Sequence, residues 1–185
     1  MITQADDRPH EHGGERGWQE RLTFDLHDPV NNYFVAVVMT HMPGDRKADA
    51  SVELKLPGGE TAQSLHRAQN PKRAEHTVGR LAIDIEDPLK RLRLSCKDTA
   101  LVLPGGEQRG VAAPLDLALE IEALGDADGT TDRKTEINDQ RFMSVVSRGR
   151  FTQSIRASGT LKLGTNEIAF NAVGTRTRAW GILDA

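Results

Sequence analysis

The chain has 185 residues, 37% of them apolar and 28% charged, with a net charge of -3. That length suits one domain with its own core, and the composition is neither that of a disordered chain nor that of a membrane-spanning one. Its 24 basic and 27 acidic residues are spread along the chain, so nothing draws in a phosphate backbone over distance and nucleic acid is not an expected partner.

Residues 1–16 contain no apolar run. A secretory signal needs an apolar core of about 7–15 residues, so none is expected. The segment reads as a mobile, solvated tail, with the folded domain over 17–185. His10-Glu11-His12 carries metal-ligating groups, but a loose tail does not preorganise them. No metal or other cofactor is expected. Nothing further along reaches the roughly 18 apolar residues of a membrane span.

From Trp18 onward the chain is written in period two. Trp18–Leu26 reads as a first strand. Tyr33–Met39 is apolar on both faces and reads as a central strand covered on both sides. Ala48, Ala50, Val52 and Leu54 alternate with Asp49, Ser51, Glu53 and Lys55. The same alternation carries Leu81, Ile83 and Ile85, then Leu92, Leu94 and Cys96, then Leu115, Leu117, Leu119 and Ile121. Successive side chains of a strand point to opposite faces, so each run has one dry and one wet side. Pro57-Gly58-Gly59, Asp87-Pro88 and Pro104-Gly105-Gly106 break the runs as turns. Residues 125–141 are polar and glycine-marked and read as a loop, with room for a short helix near Thr135–Gln140.

The closing segment is the most regular. Phe151, Gln153, Ile155, Ala157, Leu161 and Leu163 share one side of a long strand that Gly159 lets bend. A turn at Gly164-Thr165-Asn166 leads back through Ile168, Phe170 and Ala172 to GTRTRAWG, residues 174–181. If the alternation continues, Arg176, Arg178 and Trp180 point inward, where two arginines need acidic or ligand partners. Roughly nine antiparallel strands are expected. The fold class is all-β, a meander closing into a barrel or a strongly curved sheet, which removes or blunts its edges.

Cys96 is the only cysteine. It rules out an internal disulfide and a cysteine-based metal centre, and points to a cytoplasmic location. Its place at period two with Leu92 and Leu94 makes it a buried strand residue. His27, His41, His66 and His76 lie in different segments without a metal-ligand spacing. No glycine-rich phosphate loop and no nucleophile elbow is present.

The order Asp87-Pro88, the Lys90–Cys96 strand, PLDLALEIEAL and the closing GRFTQSIRASGTLKLGTNEIAFNAVGTRTRAWG resembles the carotenoid hydratase and hydroxyneurosporene synthase-like superfamily. These are calycins of two lipocalin-like barrels. The resemblance implies a lipocalin-like barrel here and, on the family's pattern Gly-x-Arg-Asp-His-Ser-Trp-Gly, matches at Gly174, Arg176, Trp180 and Gly181. Thr177 and Arg178 stand where that pattern has its acid and histidine. Protonating an alkene needs a donor with a pKa near neutral, which neither threonine nor arginine supplies. No catalytic residue is therefore expected. The expected function is a non-catalytic module binding a small apolar or isoprenoid-like molecule through Trp180, Arg176, Arg178, Gln153 and Phe151. The other readings are an isoprenoid or polyketide hydratase or cyclase, and a structural half-barrel of a larger assembly. Since such relatives carry a second barrel, a homodimer or a lipocalin-like domain on another chain is the expected partner.

Overall fold

The computed structural model describes residues 1–10, 16–71, 76–105, 110–139 and 142–182. The fold is all-β and antiparallel. Its strands are β1 (Trp18–Asp28), β2 (Tyr33–Met42), β3 (Lys47–Lys55), β4 (Thr61–Gln69), β5 (Thr77–Val78), β6 (Leu81–Asp87), β7 (Arg91–Leu103), β8 (Val111–Ala123), β9 (Asp128–Asp139), β10 (Phe142–Leu163) and β11 (Asn166–Ile182). Eight of them form a ring in the order β4-β3-β2-β1-β11-β10-β8-β7, closed where Thr61–Gln63 of β4 pairs with Leu101–Leu103 of β7. β6 and β5 extend the sheet from the other half of β7, and β9 pairs with the first half of β10.

The period-two runs explain the ring. Inward residues of its strands, among them Phe24, Val37, Val52, Leu94, Leu119 and Phe170, join one continuous buried core. Gly159 sits opposite Leu119 in the β8–β10 pairing, where a Cβ would clash with the Ala118 carbonyl oxygen. Only glycine allows β10 and β8 to approach there. At one end of the ring Asp28 closes the β1–β2 turn. Its carboxylate accepts from the Val30, Asn31 and Asn171 amides and from the Asn31 side chain.

Four sequence expectations need correction. Residues 128–139 are a strand, not a loop or helix; their backbone pairs with β10 from Thr152↔Asp128 to Phe142↔Asp139. Gln140 and Arg141 lie outside the described residues. The described strands number eleven rather than roughly nine; no apolar alternation marks β4, β5 or β9. β2 is covered on one side only, since Phe34 on its outer face is 46% exposed. Residues 1–10 are not a solvated tail. Gln4–Asp7 form a 3-10 turn with Asp6 and Asp7 buried. Glu11 and His12 lie outside the described residues.

Candidate functional site

The inward alternation of β11 runs unbroken through Phe170, Ala172, Arg176, Arg178 and Trp180, all buried. Thr177 faces outward, where its hydroxyl lies 3.1 Å from that of Thr152. Neighbouring strands fix the surroundings: Arg176 lies opposite Gln153 and Phe24, Arg178 opposite Phe151 and Leu22, and Trp180 opposite Gly149 and Glu20. Gly149 is required by Trp180, whose ring fills the space of a Cβ. Trp18, Phe151 and Trp180 pack as a small apolar cluster apart from the main core, with Ile2, Leu89 and Ala127 against it. The five residues expected at a ligand site thus meet at one end of the ring, opposite the β1–β2 turn.

Their polar groups bond within the chain, except Arg178 Nε, which is buried without a hydrogen-bond partner. Arg176 forks onto Asp7, Nη1 to Oδ1 at 3.0 Å and Nη2 to Oδ2 at 2.8 Å. Its Nε donates to Gln153 Oε1 at 2.8 Å, and Gln153 Nε2 donates to the carbonyls of Leu89 and Gly125. The Leu89 amide donates to Asp7 Oδ2 at 2.7 Å. Arg178 donates to the Asp7 carbonyl at 3.0 Å and to Glu20 Oε1 at 2.6 Å. His10 places Nδ1 2.8 Å from the same Glu20 oxygen and stacks on Trp180 at 3.8 Å between ring centroids. Two buried arginines therefore face two buried carboxylates. Burial alone would raise the Glu20 pKa, but the His10 hydrogen bond and the Arg178 charge hold it down at about 2.

Beside this network stand His41 and His76, ring centroids 5.9 Å apart. His41 lies directly opposite Glu20 across β1 and β2. Burial lowers the pKa of both; His76, also repelled by Arg178, falls to about 4. Nε2 of His41 and both ring nitrogens of His76 are buried without a hydrogen-bond partner. A cleft of about 320 Å³ opens here, lined by Trp18, Glu20, His41, Pro43, Arg46, Lys47, Asn70 and Pro71.

A second polar group joins Ser64, His66, Cys96 and Asp98. Ser64 Oγ lies 2.8 Å from Asp98 Oδ2 and 3.1 Å from His66 Nε2, and Cys96 Sγ lies 3.7 Å from that nitrogen. The hydroxyl donates to the carboxylate itself, and His66 Nδ1 lies 3.6 Å from the same Asp98 oxygen. Cys96 is buried as expected, and burial raises its pKa to about 11, far from a reactive thiolate. Among the described residues, no group of three or more His, Cys, Asp or Glu could hold a metal ion, and no helix is long and apolar enough to cross a membrane.

Sequence reading missed Asp7, His10, Glu20, His41 and His76. Glu20 was legible in principle: it falls in phase with Trp18, Leu22 and Phe24 on the dry face of β1. Asp7 and His10 carry no periodic signal, and only the fold brings them to the arginines.

A family model described as a domain of unknown function, DUF7064, matches residues 3–184. The chain belongs to the DUF7064 family. The match takes in the segment that carries Asp7, so in this DUF7064 chain the 3-10 turn and the ring lie within one family domain. No curated protein matches the chain. Among solved structures, the fold is similar to that of a "putative AttH" from Nitrosomonas europaea, with a TM-score of 0.52 and 14% identity over 90% of this chain. The chain covers 52% of that protein, about half its length. At this identity the likeness concerns the DUF7064 fold alone.

Proposed function

We propose that the protein is a non-catalytic, lipocalin-like binding module that takes a small, mostly apolar molecule at the His41 end of the ring. The observation that carries this reading is the cleft over Trp18, Glu20 and His41. Its size falls in the range of small-molecule sites, and it sets an indole and two prolines beside Glu20, His41, Arg46, Lys47 and Asn70. Neutral His41 offers its unpartnered Nε2 to a hydroxyl or carbonyl of the ligand. Proton-transfer catalysis is not favoured, because Glu20 is too acidic to hold a proton near neutral pH and its charge is spent on Arg178 and His10. Trp180, Phe151, Gln153, Arg176 and Arg178 do not line this cleft.

Native mass spectrometry of the protein purified from its own source tests this. The expected result is a small-molecule adduct, weakened about tenfold by His41→Leu through loss of one buried hydrogen bond. A bare mass in the unaltered protein would contradict it.

A second reading has its own support. The inward side chains of the ring strands fill it as one continuous core, which suits a structural domain completing a larger assembly. Val173, His27 and Phe34 form an outward row across β11, β1 and β2, with Val173 and Phe34 about half exposed. This row is the surface such an assembly would cover, through a second copy or a second barrel. A bare mass together with a stable dimer would favour it.

A further inference from the structure

The receiving side of the Asp7 contact is supplied by β10, β11 and the turn between β6 and β7. Gln153, anchored on the Leu89 and Gly125 carbonyls, aims Arg176 through its Nε. The Phe151 ring lies 5.2 Å beneath the guanidinium. Leu89 adopts φ 64°, in the left-handed region that a branched side chain rarely enters, and this conformation accompanies an amide that points at the carboxylate. Two parallel guanidinium donors and one amide form a carboxylate receptor of the kind arginine is suited to.

The occupant has the opposite character. It lies on a single 3-10 turn, flanked by the backbone bonds Asp6 N to Thr3 O and Arg8 N to Ala5 O. The segment brings to the ring end the Asp7 carboxylate on Arg176, the Asp7 carbonyl on Arg178, His10 on Glu20 and Trp180, and Ile2 against the Trp18, Phe151 and Trp180 cluster. An apolar group and a carboxylate, a few residues apart, copy the outline of an organic acid with an apolar chain. A cavity of about 270 Å³, lined by Asp7, Arg8, Pro9, His76 and four residues of β6, flanks the segment and gives a free molecule a way in. If Asp7 leaves, Arg176 and Arg178 face Glu20 alone, and one positive charge is left for an anion to neutralise.

We propose that the cradle of Arg176 and the Leu89 amide is a binding site for the carboxylate of an apolar-chain organic acid, held in cis by Asp7 and Ile2 as an occupant the acid displaces. Neither Asp7, Leu89 nor Arg176 lines the His41 cleft, so the inference stands whether or not that cleft binds a ligand. Intramolecular competition lowers the apparent affinity of a free acid by the fraction of time the segment is docked.

The test titrates the full-length protein with octanoate, using octanol as the uncharged control. It is read by tryptophan fluorescence and by hydrogen exchange over residues 1–10. Both tryptophans of the chain lie at this site, one stacked on His10. The expected result is that octanoate changes the fluorescence and speeds exchange in residues 1–10, while octanol does neither. Asp7→Asn keeps the shape and removes the charge, so it should bind octanoate about tenfold more tightly, and Arg176→Met should abolish binding. Octanoate binding that leaves residues 1–10 protected overturns the proposal. So does a failure of octanoate to bind, or an Asp7→Asn protein, folded by circular dichroism, that binds octanoate no better than the unaltered chain.

Discussion

Asp7→Ala is expected to destabilise the fold by about 3–5 kcal/mol, the cost of removing one partner of a buried ion pair. The side chain is fully buried, with three donors on its carboxylate: two from Arg176 and one from the Leu89 amide. Removing it takes both Nη acceptors from Arg176, leaving its Nε on Gln153, and takes the acceptor of the Leu89 N–H. For a domain of this length the loss corresponds to a melting-temperature drop of about 6–20 °C. Thermal unfolding followed by circular dichroism measures it. A drop within about 2 °C of zero would mean that the segment is dispensable. Asp7→Asn retains one acceptor and should lose less.

Acidification is the second large effect, and two groups set its windows. The His76 pKa is about 4 in the fold against 6.5 ordinarily. The unfolded chain therefore takes up the proton first, and this group lowers stability as pH drops from 6.5 to 4, its own effect being constant below that. The full difference amounts to about 3 kcal/mol. His41, lowered for the same first reason of burial, adds in the same direction. Glu20 is lowered from 4.5 to about 2. Its charged form stabilises the fold above pH 4.5, and that contribution, also about 3 kcal/mol, is lost as pH falls towards 2. Urea midpoints between pH 7.5 and 4 should decline steadily, and His76→Gln should flatten most of the limb between 6.5 and 4. A midpoint independent of pH over that range would contradict the burial of an uncharged His76.

The ring itself was legible because its strands bury one face each. Ala48–Leu54, Leu92–Cys96, Leu115–Ile121 and Phe151–Leu163 alternate in the sequence and point inward in the structure. The same rule carried Arg176, Arg178 and Trp180 inward, because alternation is a property of the backbone and holds for charged residues as for apolar ones. β9 was not legible. The sequence of Asp128–Asp139 carries no apolar alternation, and its backbone pairs with β10. The 3-10 turn was hidden for a different reason. Its fixing contacts reach 82 residues to Leu89 and 169 to Arg176, and long-range pairing of charges leaves no local pattern. The need for acidic partners could be stated from the sequence; their identity could not, since Asp7 and Glu20 are two of 27 acidic residues.

Closure of the ring end by Asp7 is the claim on which the rest turns, and a double-mutant cycle of Asp7 and Arg176 tests it most directly. Asp7→Ala, Arg176→Met and the double variant are compared by urea unfolding at pH 7.5. If the two groups form one buried pair, each single change is costly and the double variant is no less stable than either, a coupling of about 2 kcal/mol or more. Single effects that add to within about 0.5 kcal/mol would show that Asp7 and Arg176 do not meet in the folded protein.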